Sequence, residues 1–318
     1  MNSSEGHLAT RRAAGLFDFS FMGLYQFSSA SALECCQTRR TSDLASGQAA
    51  YTLILNDDGS VFNDATVWRL GAERFWLFTG RRSDFERFRS DADDRSGEYA
   101  ILALQGPASG RILARLIGED ALLGLEYFRL MEANSMVVAR LGYSGELGYE
   151  LLVQAERGQE LRQALAHAGR EHGLRECSFD AANSLRIESG YILFSNELCA
   201  MPDPFELGLR RLLTGRGFVG AEALERKRSA GPRRRLVGLV PTGSKRPPGS
   251  LPEVQLTSEA WSPIFGRQLG MGFAPAEDAA PGTLLRLGDG RLARCARLPF
   301  YDPGRVLPRR IMCGSQSR

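Results

Sequence analysis

Small and apolar residues recur at about helical spacing over residues 28–36. The next run, 48–56, is rich in β-formers and ends in Asn-Asp-Asp-Gly, a hairpin signal, so 60–70 is expected to return as its second strand. A short aromatic strand is predicted at 74–79. Phe85 and Phe88, three apart with charges opposite, predict an amphipathic helix over 83–91. Residues 99–104 are apolar and β-like; Gln105-Gly106-Pro107 then turns the chain into a helix over 108–117, with proline near its start. A strand at 135–141, a glycine-rich turn at 142–148 and a strand at 149–153 follow, then helices at 159–172 and 180–188, a short apolar stretch at 192–194 and a proline-containing loop at 196–206. The basic run 225–235, with its Gly-Pro, reads as a hinge and 245–252 as a loop. The short strands and Gly/Pro turns beyond suggest a small β-barrel or sandwich.

Composition narrows the function. With 318 residues, 43% hydrophobic and 24% charged, the chain can fill two or three packed domains, which excludes disorder as its main state. Forty basic against 37 acidic residues leave a net charge of +3, far below what neutralising a phosphate backbone needs, so no nucleic-acid partner is expected. Lys227 and Lys245 are the only lysines, and both sit in segments that read as exposed, which argues against a Schiff-base mechanism. Six cysteines without a CxxC pair and three scattered histidines give no metal cluster; free thiols in a reducing, cytoplasmic compartment are expected. No window approaches ~20 uncharged apolar residues, so no membrane span or membrane partner is expected. Arg11-Arg12 before an apolar stretch imitates a twin-arginine signal, but Asp18 interrupts that stretch.

Several familiar chemistries are missing. Gly215 to Gly220 spells GxGxxG, yet no convincing strand precedes it and no acidic residue follows in a βαβ frame. There is no Walker A motif and no GxSxG elbow. Two carboxylates stand out instead: Asp64 in the otherwise apolar returning strand, and Glu150 ahead of Leu151, Leu152 and Val153. A carboxylate buried without a partner costs free energy. Taken singly, each also reads as an ordinary solvated residue beside a turn.

Together, the segments occur in a known order. The chain resembles the glycine-cleavage T-protein, or aminomethyltransferase, family of tetrahydrofolate-binding proteins. The resemblance is carried by Gly15-Leu-Phe-Asp-Phe-Ser-Phe-Met22, Ala50-Tyr-Thr-Leu, the stretch 59–64, Ala103-Leu-Gln-Gly-Pro-Ala108, Gly142-Tyr-Ser-Gly-Glu-Leu-Gly-Tyr-Glu150, Ser184-Leu-Arg-Ile-Glu-Ser-Gly190, Asp203-Pro-Phe-Glu-Leu-Gly208, Gly217-Phe-Val-Gly220, Ser262-Pro and Leu298-Pro-Phe-Tyr301. The Gly-Tyr-Ser-Gly-Glu and Leu-Arg-Ile-Glu blocks are the specific ones. They also make 15–22 the first strand of a folded domain rather than part of a signal.

The resemblance implies an α+β fold with three lobes around a central hole, a folate-binding core of two interleaved lobes over 1–232, and a C-terminal β-barrel-like domain over 233–318. Tetrahydrofolate is the implied cofactor, with Asp64 near its N5/N10 region to orient the amine or take its proton. Glu150 is implied to hold the pterin, because a ring N–H beside an exocyclic amine presents two parallel donors that one carboxylate can accept. Tyr51, Tyr143 and Arg186 are implied cofactor contacts, and Trp76, where the family has tyrosine, an implied stacking surface.

The departures are specific. Ala182 stands where the family carries a second arginine, Asn63 replaces the first acid before Asp64, about fourteen residues precede the Phe-Asp-x-Ser block where the family has about forty, and 236–263 is divergent. Ala182 and the short stretch before the Phe-Asp-x-Ser block favour a transferase moving a methyl or methylene group between a small-molecule donor or acceptor and folate N5, and place a lipoyl carrier protein in doubt as partner. Glycine-cleavage aminomethyl transfer proper is the alternative. A non-catalytic folate-binding protein of iron–sulfur maturation lacks support because that group's Lys-Gly-Cys-Tyr block reads Arg216-Gly-Phe-Val here, and retention of Asp64 and Glu150 argues against a subunit of an amine-oxidising complex.

Overall fold

The structure, a computed structural model, describes residues 3–243 and 251–310. Three β-sheets organise it. The first has six strands in the order Leu174–Glu176, Ala14–Asp18, Tyr99–Gln105, Gly148–Gln154, Met136–Ala139 and Leu130–Ala133. Only the Ala14–Asp18 and Leu174–Glu176 pair is parallel; the others are antiparallel. The second has five strands in the order Gln48–Leu55, Val61–Gly71, Arg74–Thr79, Gly23–Phe27 and Asp93–Asp94. Beyond Gly231-Pro232, the strands Arg234–Pro241, Arg267–Pro275, Glu253–Ser262, Leu284–Leu287 and Leu292–Ala296 close on themselves.

Each face of the first two sheets has its own apolar cluster, which follows from the two-residue period of a strand. Leu104, Tyr149, Leu151 and Val153 pack with Ile112, Leu113, Leu161 and Leu165 from the helices Ser109–Ile117 and Gly158–Gly169. The opposite face, with Phe17, Ile101, Ala103, Ala139 and Leu152, meets Trp68, Trp76 and Phe78 of the five-stranded sheet and Ala181, Ala182 and Leu185 of the helix Phe179–Glu188. This shared layer is where the candidate site forms.

Two local expectations are corrected. Residues 82–87 form a 3₁₀ helix rather than an α-helix. Its three-residue turn stacks Phe85 and Phe88 on one edge, and the Asp84 carboxylate is drawn to Asn63 Nδ2 and Arg81. The stretch read as a hinge begins inside the helix Ala221–Ala230, whose Ala, Leu, Glu and Arg content favours helix; Gly231, at φ 73°, then ends it. The expected loop at 245–252 lies largely outside the described residues. No strand leads into Gly215–Gly220, so the GxGxxG spelling has no βαβ frame.

A helix at Ser3–Arg12 was not anticipated. Arg11 is buried: its Nε and Nη2 donate to Glu188 Oε2 at 3.0 and 2.8 Å, and its Nη1 to Glu146 Oε1 at 3.0 Å and the Ser144 carbonyl at 2.8 Å. The Tyr301 ring covers the guanidinium at 3.8 Å. Arg11 therefore ties the first helix to the glycine-rich loop and to Phe179–Glu188, as part of the fold. Removing one member of a buried ion cluster leaves charges without a partner. Arg11→Met is expected to lower unfolding free energy by about 3–5 kcal/mol at pH 7 in urea titrations. Glu188 is held below the ordinary carboxylate pKa by His7 and Arg11 against its own burial, so its contribution is present at neutral pH and lost as pH falls; the deficit should narrow in acid.

Five described cysteines, Cys35, Cys36, Cys177, Cys199 and Cys295, are free thiols. Among the described residues, no helix is long and apolar enough to cross a membrane.

Candidate functional site

Strand alternation decides which acid enters the shared layer. In Val61–Gly71, Asn63, Ala65 and Val67 point away from it, and buried Asn63 donates to Asp84. Asp64, Thr66 and Trp68 take the other face. Tyr51, opposite Thr66 on the neighbouring strand, reaches diagonally so that its hydroxyl donates to Asp64 Oδ2 at 2.8 Å. Asp64 is half-buried, and desolvation raises its pKa to about 6, opposed by the Tyr51 hydrogen bond; Glu197 pushes it further up and Arg186 down.

A tyrosine cluster extends from this pair. Tyr143 and Tyr191 stack with centroids 5.8 Å apart and planes 17° from parallel. The Tyr143 hydroxyl donates to the Ile192 carbonyl. Burial raises the Tyr51 hydroxyl pKa well above its ordinary value, with the Asp64 carboxylate adding to the effect, and burial raises Tyr143 too. Both remain neutral donors at physiological pH.

Glu150 approaches the same layer from the six-stranded sheet. It lies opposite Ala103 and Ala139, both members of the shared cluster, and is 7% exposed. Among the described residues it has no hydrogen-bond or ion-pair partner, and burial alone raises its pKa to about 7. The turn before it depends on glycine. A Cβ on Gly142 or Gly148 would fall 2.0 or 2.3 Å from Gln105 Oε1, so the Gln105 side chain threads between them and accepts from Ser144 Oγ at 2.8 Å. Beside this turn a small cavity is lined by Phe17, Phe19, Gln105, Tyr143, Ser144, Ala182 and Leu185.

The structure thus gathers Asp64, Tyr51, Tyr143 and Glu150 around one layer. Two other expected contacts are corrected. Arg186 is fully buried and occupied: Nη1 donates to Glu197 Oε2 at 2.8 Å and to the Tyr191 carbonyl at 3.1 Å, Nη2 to Ser258 Oγ at 2.7 Å, and Nε to Asn183 Oδ1 at 2.9 Å. It supports the site from behind, linking Phe179–Glu188 to the barrel. Trp76 is 4% exposed, its indole N–H donates to Gln26 Oε1 at 3.2 Å, and its ring centroid lies 5.1 Å from that of Tyr99. It is a wall of the layer, without an open face for stacking.

Sequence reading missed Glu197 and Tyr191. Glu197 sits in the stretch read as a loop and also accepts from Leu193 N at 2.9 Å and Thr257 Oγ1 at 2.8 Å. No periodicity marks either residue. A surface depression of about 310 Å³ is lined by Asp18, Arg82 and Arg162 among others and contains none of these site residues; Arg162 is paired with Asp18 and Glu176.

Residues 2–215 match the family model described as the GCVT N-terminal domain. The chain is 34% identical over 332 residues to an aminomethyltransferase of Symbiobacterium thermophilum, covering 93% of this chain and 88% of that one. It is 35% identical over 331 residues to an aminomethyltransferase of Streptomyces avermitilis, with the same coverage of 93% and 88%. The crystal structure of glycine cleavage system aminomethyltransferase T from Bartonella henselae matches with a TM-score of 0.79 at 25% identity, over 94% of this chain and 89% of that one.

Proposed function

Because the chain belongs to the glycine-cleavage T-protein, or aminomethyltransferase, family, we propose that it is a tetrahydrofolate-dependent one-carbon transferase whose reaction is aminomethyl transfer. The observation that carries this is Glu150: an unpartnered carboxylate in an apolar layer, suited to a ligand edge with two parallel donors. A pterin has that edge. In this reading the core over 1–232 surrounds the folate as a three-lobed unit with the barrel-like domain 233–318.

Bound tetrahydrofolate supplies the amine nitrogen that accepts the one-carbon unit. The protein's own residues do the rest. Glu150 fixes the ring's orientation. Asp64, held by Tyr51, accepts a hydrogen bond from the amine or takes its proton, and with a pKa of about 6 it is mostly ionised and competent as a base at neutral pH. The packed aromatic layer limits water at the reacting atoms.

A second reading, transfer from a methylated small molecule, is favoured by Ala182, an alanine lining the cavity beside Tyr143 where relatives of the family place an arginine. Incubation with tetrahydrofolate and an aminomethyl-loaded lipoyl carrier protein should yield methylene-tetrahydrofolate and ammonia. Product from methylated small molecules alone would select the second reading. Product from neither, with folate binding intact, would remove the enzymatic reading.

A further inference from the structure

The acids of the site leave a charge problem. Asp64 and Glu150 suit a donor-rich ring and an amine, but they repel a carboxylate-bearing tail, so such a tail must be met by cations elsewhere. The nearby buried arginines are occupied: Arg186 by Glu197, Arg11 by Glu146 and Glu188. Two others are not.

After the barrel, the chain returns to the tyrosine cluster. The Arg305 guanidinium lies over the Tyr191 ring at 5.1 Å and that of Arg309 over the Tyr127 ring at 5.3 Å. Tyr191 in turn stacks on Tyr143. Among the described residues no carboxylate pairs with either guanidinium. Arg309 Nη1 donates to the Arg305 carbonyl, which ties the two residues together; stacking on an aromatic face holds a guanidinium in place while leaving its remaining edge donors to an anionic acceptor.

The segment that carries them is anchored. Tyr301 N donates to the Glu188 carbonyl at 2.9 Å, Leu307 N to Asp302 Oδ2 at 2.8 Å, and buried Arg140 donates to the carbonyls of Pro308 and Arg310. The two cations are therefore presented on a fixed turn beside the site.

We infer that Arg305 and Arg309 form an anion subsite that takes the carboxylates of the ligand's tail while Glu150 holds its ring. The inference rests on the folate reading above, because folate joins a pterin to a glutamate tail. Loss of charge-assisted hydrogen bonds of this kind corresponds to about 10- to 100-fold in affinity.

The test is calorimetric binding of tetrahydrofolate and of 6-methyltetrahydropterin, which has the ring but no tail, to the full chain. Arg305→Gln/Arg309→Gln should weaken tetrahydrofolate about 10- to 100-fold and leave the tailless pterin unchanged. Arg305→Lys/Arg309→Lys should recover part of that loss, since charge is kept without the planar fork. If the Gln variant binds tetrahydrofolate as wild type does, or loses both ligands equally, the subsite is refuted. If wild type binds neither ligand, the folate reading fails with it; wild-type binding that Glu150→Gln abolishes but the arginine variants spare refutes the subsite alone.

Discussion

Glu150→Gln is expected to weaken tetrahydrofolate binding by at least about 100-fold, the scale of two charge-assisted hydrogen bonds, while making the ligand-free protein more stable above pH 7. The two effects have one cause. Glu150 sits in an apolar layer without a partner, and burial raises its pKa from 4.5 to about 7. A carboxyl group whose folded pKa is raised favours its protonated form in the fold. Its contribution is full below the unfolded value and is lost as pH rises through the folded one. Glutamine cannot ionise, so the variant escapes that loss. Urea titrations should give the variant an advantage of roughly 2–3 kcal/mol at pH 8 and little at pH 5.

Binding moves the other way because the ligand's two donors need two acceptors. Glutamine presents one acceptor and turns an amide N–H₂ against a donor. Wild-type affinity should also rise between about pH 5 and pH 7, as the carboxylate ionises to meet the ligand. Equal affinity of wild type and variant, or a flat pH dependence in wild type, would remove Glu150 from the binding role. The combination of weaker binding and higher stability is what separates a ligand-holding acid from a structural one, whose loss would destabilise.

The second large effect is on turnover. Asp64→Asn should lower kcat by about 10²- to 10³-fold with the folate Kd changed by no more than about 3-fold, the range for removing a positioned base without disturbing binding. With Asp64 as base, kcat/KM should rise with pH through an inflection near the residue's pKa of about 6. Tyr51→Phe supplies a finer check. The Tyr51 hydroxyl donates to Asp64 Oδ2 and lowers its pKa, so losing it should move the inflection upward. A parallel fall in affinity and turnover for Asp64→Asn would assign the residue to binding instead.

The two carboxylates stand out in the sequence as acids within apolar strands, but local pattern alone also fits solvated residues beside turns, and their expected roles come from the family resemblance. An Asn-Asp-Asp-Gly turn followed by alternating residues sets a strand's faces. Asn63 and Asp64 must then diverge: Asn63 goes to Asp84 and Asp64 to the shared layer. The glycine-rich block likewise delivers Glu150 into a strand, for the local reason that Gln105 passes between Gly142 and Gly148. Arg186 and Trp76 were misread because residue type alone does not say whether a side chain is free. Arg186 meets Ser258 from 72 positions away, and Trp76 meets Gln26 from 50 positions away. Residues 82–87 were misread for a related reason: an apolar pair three apart fits both a 3₁₀ and an α-helical turn, and the pull of Asn63 and Arg81 on Asp84 is not local to the spacing.

The sequence by itself determined the hairpin over 48–70, the glycine-rich turn and the family, since a strand's two-residue period and a turn's φ demands are properties of neighbouring residues. Only the tertiary structure decided that Glu150 is buried without a partner, that Glu197 occupies Arg186, that Arg11 and its two glutamates join the first helix to the core, and that Arg305 and Arg309 reach the tyrosine cluster. Desolvation and ion pairing are sums over atoms brought together from distant parts of the chain, and no local pattern contains them.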